Sequence, residues 1–238
     1  MSSSQDSIQK ANPTAASPDS VLVVDFSWKK LKALVSEKDS QGNISTPKYM
    51  IDYSTFKSPS LVFRPYEDRS ITIGTGTLHA VTIHADYELH GRKGTIKALK
   101  RLATSYTHLS YNYSNSPDGT PAAMTWTSAS SFKTWDFICL DEQQNPVAKF
   151  SANAWSLHQV GNIEFLGPKA NDAAAREEIL VTGLTLCYQM VIRMSSILPL
   201  FGAMFARTGP LDKEAAQKDP RASVDAEQGH TEPDRRQV

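Results

Sequence analysis

The segment HGRKGTIKALKR, 90–101, gathers Arg92, Lys93, Lys97, Lys100 and Arg101 within ten residues of two glycines. Clusters of this kind hold phosphate groups, because the cations supply charge-assisted hydrogen bonds and glycine lets backbone N–H groups come close. On a strand Lys93, Lys97 and Arg101 share one parity, which predicts a single basic face. The competing expectation is a solvated strand whose positive charges discourage edge pairing. A second set, His84, Asp86, Glu88 and His90, alternates on one strand face. Neighbours two apart on a strand stand roughly 6.6 Å from each other, too far to share an ion at about 2 Å without leaning together. A polar outer face is therefore expected there, with no metal and no other cofactor. His79 breaks that parity.

Templates for catalysis are missing from the chain. There is no G-x-S-x-G, Walker A, H-E-x-x-H or CxxC pattern. Gly74-Thr75-Gly76 is an isolated GxG, read as a strand kink or bulge. Cys139 and Cys187 lie in apolar segments and read as small hydrophobes, not nucleophiles. No enzymatic activity is expected.

Positioning these residues falls to strands. Val81, Ile83, Ala85, Tyr87 and Leu89 alternate with polar residues up to His90, the period of a half-buried antiparallel strand. Comparable segments are 21–26, 47–54, 60–66, 70–76, 95–102, 107–114, 122–128, 132–140, 146–152 and 162–167. Turn chemistry such as SNSPDGTP and DEQQNP separates them. Many short strands at regular spacing predict a sandwich or barrel, with Trp126, Trp135 and Trp155 in its packing. SWKKLKALV reads instead as two helical turns, with Trp28, Leu31, Leu34 and Val35 on one face and Lys29, Lys30 and Lys32 largely elsewhere. Packing across a barrel end is expected, and lying in a membrane interface is the alternative.

The pattern changes at GPKANDAAAREE, which offers Asn171 or Asp172 as a helix cap, with acids in the first turns. A helix over about 172–194 follows, apolar on all sides, so it must be buried in protein or lipid. Its uncharged stretch from Ile179 to Ile192 has 14 residues, whereas crossing a bilayer takes about 20. Extending it to Ala206 puts Arg193 in the middle, at a cost of roughly 2.5–3.5 kcal/mol. A core helix is expected; an anchor formed by 179–206 is the weaker alternative.

Residues 1–19 and 208–238 are too polar to offset the entropy of ordering and read as disordered tails around a domain at 20–207. The tails carry −1 and −2, which leaves +3 on the domain of a chain whose net charge is zero. So small a bias gives no expectation of nucleic-acid binding. The first twenty residues have no apolar core of a secretory signal, so the expected location is intracellular and cytoplasmic, peripheral to membranes at most.

The run TWDFICLDEQQNPVAKFSANAWSLHQVGNIEFLGP, followed by REEILVTGLTLCYQMVIR, resembles the fungal branch of the tubby C-terminal-like superfamily. The superfamily also holds tubby proteins, LURP-one-related proteins and phospholipid scramblases. Trp135 and Phe137, Asp141, Val147 to Phe150, Gly161 with Ile163, and the helix from near Glu178 carry the likeness, over about 122–194. It implies a mainly β fold: a closed antiparallel barrel of about 12 strands around one central hydrophobic C-terminal helix. For function, the resemblance together with the basic cluster gives the expectation of a non-catalytic binding module with anionic membrane phospholipids as partners. Arg92, Lys93, Lys97, Lys100 and Arg101 come from the cluster itself, since the tubby phosphoinositide-binding residues have no position-by-position counterpart here. A cytosolic protein-interaction scaffold without lipid binding is the alternative. The cysteine-rich acylation segment of scramblases has no counterpart upstream of the barrel.

Overall fold

A computed structural model describes residues 21–27, 30–54, 57–101, 103–128, 135–152, 159–195 and 208–213. Both predicted tails, apart from 208–213, lie outside the described residues.

Twelve strands follow one another: β1 (Val21–Ser27), β2 (Lys32–Lys38), β3 (Ile44–Tyr53), β4 (Leu61–Pro65), β5 (Gly74–Leu78) and β6 (Ala85–Leu89). Then come β7 (Arg92–Ala98), β8 (Ser105–Ser110), β9 (Ala122–Ser128), β10 (Trp135–Leu140), β11 (Pro146–Ala152) and β12 (Gln159–Phe165). Each pairs antiparallel with its neighbours in sequence, and β1 closes on β12 from Val21↔Glu164 to Asp25↔Gln159. Closure leaves no sheet edge in this barrel.

One helix is among the described elements, α1 (Ala173–Ser195, 23 residues), and it lies inside. It touches β5 and β11, which stand on opposite sides of the ring. Glu178 to Gln189 are buried without a break, and the core cluster joins Ile179, Leu184 and Cys187 to buried residues of every strand except β5, whose Leu78 packs against it half-buried. Asp172 caps α1: its Oδ1 accepts from the Ala175 N–H at 2.8 Å. The first turn itself carries no acid; Glu177 and Glu178 sit in the second. Among the described residues no helix is long and apolar enough to cross a membrane. The rest of the suggested anchor, 196–206, lies outside them.

Several boundaries differ from the sequence reading. The described part of the 28–35 segment, 30–35, is not helical: Lys32 onward forms β2, where Ala33 and Val35 face the core and Leu34 is exposed. The strand expected at 70–76 starts only at Gly74. Residues 81–84 precede β6, although Ile83 is buried as its parity predicted. Nor is Gly74-Thr75-Gly76 a bulge, since its pairing with β4 and β6 is regular. These glycines let α1 approach. A Cβ at Gly74 would sit 2.5 Å from the Glu88 carbonyl oxygen and 3.0 Å from Val181, and one at Gly76 would strike Thr185. Trp126 is fully buried; the side chains of Trp135 and Trp155 lie outside the described residues.

Candidate functional site

The five predicted site residues do not form one cluster. Arg92 and Lys93 begin β7, where Arg92 lies over the Tyr111 ring at 4.0 Å and Lys93 pairs across from Glu88. Lys97 is near the other end of the strand, and Lys100 and Arg101 follow it, both exposed. Lys93 and Lys97 do share the strand parity opposite to the buried Ile96, but Arg101 has left the strand. The helix runs alongside: His90, just before β7, meets Glu177 at 2.8 Å, while the Arg101 carbonyl accepts from Arg193 Nη2 at 3.1 Å. At 1.5 Å per residue, positions 177 and 193 are roughly 24 Å apart. The bases belong to opposite ends of the barrel.

An up-and-down barrel sorts its connections strictly. Those after odd-numbered strands lie at one end, those after even-numbered strands at the other. The six connections after β1, β3, β5, β7, β9 and β11 contain Lys29, Lys30, Lys57, Lys100, Arg101 and Lys133, and no Asp or Glu. Lys29 and Lys133 lie outside the described residues. The five after β2, β4, β6, β8 and β10 contain Asp39, Glu67, Asp68, Asp118, Asp141 and Glu142 against one base, Arg69. A chain of zero net charge thus carries a positive and a negative pole.

Two of the carboxylates on strands near the positive pole, Asp52 and Asp86, are engaged. Asp52 holds Lys32 at 3.1 Å and also pairs with Arg64. Asp86 accepts from Thr95 at 2.8 Å and faces His79 Nε2 at the same distance. Burial alone raises the Asp86 pKa, but the hydrogen bonds from His79 and Thr95 and the nearby histidine charges outweigh it, so the carboxyl ends below its ordinary value. His79, which breaks the strand parity, is therefore the partner of a residue on that strand. His84 accepts from the Ala98 N–H at 3.0 Å, and His90 is 87 residues from its partner Glu177. Three of the four alternating residues, His84, Asp86 and His90, are thus bound to different neighbours, and Glu88 stands across the strand pair from Lys93. Among the described residues no group of three or more His, Cys, Asp or Glu side chains is placed to hold a metal ion.

α1 also emerges at the positive pole. Arg193 donates to the Tyr106 hydroxyl and the Arg101 carbonyl, and the Gly209 N–H returns to the Ala98 carbonyl at 3.3 Å. The intervening 196–207, SILPLFGAMFAR, lies outside the described residues.

Comparison of this chain with family models, with characterised proteins and with solved structures gives no match.

A polar group the sequence did not reveal sits inside the other end. His108 Nε2 faces Glu178 Oε1 at 3.2 Å, and Asn112 Nδ2 donates to Glu178 Oε2 at 2.8 Å. His108 is fully buried and Glu178 is 3% exposed. The edge-on ring of Tyr87 closes the histidine off, and its second nitrogen, Nδ1, has no partner. Burial drives the Cys139 thiol well above its ordinary pKa, reinforced by the charges of Glu178 and Asp141. The thiol is thus held neutral, the opposite of an activated nucleophile. This cluster fixes the helix in the barrel. Only side chains 70 and 66 residues from Glu178 satisfy it, so no local spacing could have announced it.

Proposed function

We propose that this protein is a non-catalytic, intracellular module that docks on membrane surfaces rich in anionic phospholipid through its positive pole. The observation that carries the proposal is the partition of charge: six bases and no acid in the connections of one end, against seven acids and two bases at the other once Lys169 and Asp172 between β12 and α1 are included. A basic surface gains on the order of 1 kcal/mol per Lys or Arg near an anionic leaflet, so a few such residues acting together give measurable binding. The negative pole is repelled by the same field, which orients the molecule end-on. The resemblance to the tubby C-terminal-like superfamily, which includes lipid-binding members, agrees with this reading. Of the residues first singled out, Lys97, Lys100 and Arg101 belong to the docking end; Arg92 and Lys93 do not.

Vesicle flotation tests it. At 50–100 mM salt (roughly a 10–14 Å screening length), the protein should float with vesicles containing phosphatidylserine or phosphoinositides, and not with phosphatidylcholine alone. Lys100→Glu with Arg101→Glu should abolish flotation, whereas Lys93→Glu should leave it unchanged. Failure of the parent protein to float overturns the proposal and leaves the protein-interaction scaffold as the reading to pursue.

A further inference from the structure

The rim of the positive pole carries more than charge. In consecutive order around the ring, its described connections present Lys30 and Leu31, then Lys57, then Val81, then Lys100 and Arg101. Val81 is 58% exposed and Leu31 40%. Each is held out by specific structure. Gln189 of α1, itself fully buried, uses its whole amide on the loop bearing Val81. Its Oε1 accepts from the His79 N–H at 3.0 Å, and its Nε2 donates to the carbonyls of His79 at 2.9 Å and Thr82 at 3.1 Å. Val81 thus projects from a loop locked to the central helix on both sides. Leu31 stands at φ 48°, in the left-handed region that favours glycine or asparagine. Its carbonyl is tied to the Tyr53 N–H at 2.9 Å. A tight turn with lysines on either side therefore carries a bulky apolar side chain where backbone sterics argue against one.

Resting on the proposed docking of this end, we infer that Leu31 and Val81 are apolar tips that enter the interfacial layer of an anionic bilayer, while Lys57, Lys100 and Arg101 engage head groups between them. The ligand is then a bilayer surface and not a free phosphorylated head group, because apolar tips gain only from a phase that removes them from water.

The test labels one rim position. Both native cysteines are buried and neutral, so an environment-sensitive fluorophore attaches selectively to Val81→Cys, or to Ile71→Cys at the negative pole as the control. With phosphatidylcholine–phosphatidylserine vesicles, the label at 81 should shift to the blue and be quenched by shallow doxyl lipids, and the label at 71 should do neither. Leu31→Asn with Val81→Ser should weaken partitioning about tenfold or more at physiological salt while leaving the thermal midpoint unchanged. Vesicle binding with an unshifted label at 81, or undiminished binding of the double variant, overturns insertion and leaves electrostatic docking standing. An equal shift at 71 overturns end-on orientation, and no vesicle binding at all overturns both proposals.

Discussion

Glu178 and His108 face each other 3.2 Å apart inside the barrel, each almost wholly closed to solvent. Glu178 also takes the Asn112 amide, so one helical carboxylate is tied to β8 and to the connection that follows it. Removing one member of such a pair leaves the other buried without its hydrogen-bond partner, at a cost of about 1–3 kcal/mol, whereas apolar replacement of both is often neutral. Glu178→Ala should therefore lower the urea-unfolding free energy by about that amount, and Glu178→Leu with His108→Leu should recover most of it. Equal losses in the single and double variants would show that packing volume matters there and the polar pair does not.

The contact of Gly76 with Thr185 gives a second prediction. A methyl group at position 76 runs into the Thr185 side chain, with Leu61 at 3.1 Å beside it. Gly76→Ala should destabilise by about 1–3 kcal/mol through overpacking, and Thr185→Ala should relieve much of that cost in the double variant. The Thr185 hydroxyl is buried with no partner, so Thr185→Val should be neutral or stabilising. Gly74→Ala has no such rescue, because its added carbon meets the Glu88 backbone. Thermal melts of the five variants decide these points, and strict additivity of Gly76→Ala and Thr185→Ala would count against direct contact.

Stability should fall at both extremes of pH. Asp86 is held below its ordinary value of 3.8 in the folded chain. Its contribution is complete above about that pH and is lost as the pH falls through the lower folded value. Asp86→Asn should accordingly flatten the acid limb of a stability profile. In the alkaline direction, burial raises the Cys187 thiol from 9.0 to about 12. The folded state thus favours the neutral thiol, and the stability it contributes disappears as pH rises from about 9 through 12. Thiol titration with a chromogenic disulfide at pH 8 should find neither cysteine reactive until the protein unfolds; rapid reaction of the native protein would contradict the buried placement.

The strands were legible where one face is apolar and the other polar. β6 is the clearest case, with Ala85, Tyr87 and Leu89 turned inward in the alternation the sequence shows. Next to it β5 was misplaced, because its inward positions Gly74 and Gly76 carry no side chain and leave a blank in the hydrophobic pattern. The blank is the space that α1 fills. Segment 28–35 failed for another reason: a short run with Leu31, Leu34 and Val35 fits a helical face and a strand equally well, and the closed ring decides between them. The basic residues at 92–101 were grouped by nearness in the chain, yet a strand carries its two ends far apart. What brings bases together here is strand order. Once alternate connections are assigned to opposite ends, the partition of Lys and Arg from Asp and Glu can be read directly from the residues.

The position of α1 after all twelve strands bears on how the chain can fold. Every strand hairpin can pair as soon as it is made, but the pairs have no completed core until Ile179 to Gln189 arrive, and closure of β1 on β12 joins segments more than 130 residues apart. Such long-range pairing is slow because the entropy of loop closure comes before the contacts that reward it. During synthesis the early hairpins would therefore wait with exposed apolar faces until nearly the whole domain has left the ribosome. An element translated after all twelve strands is thus the one around which they assemble.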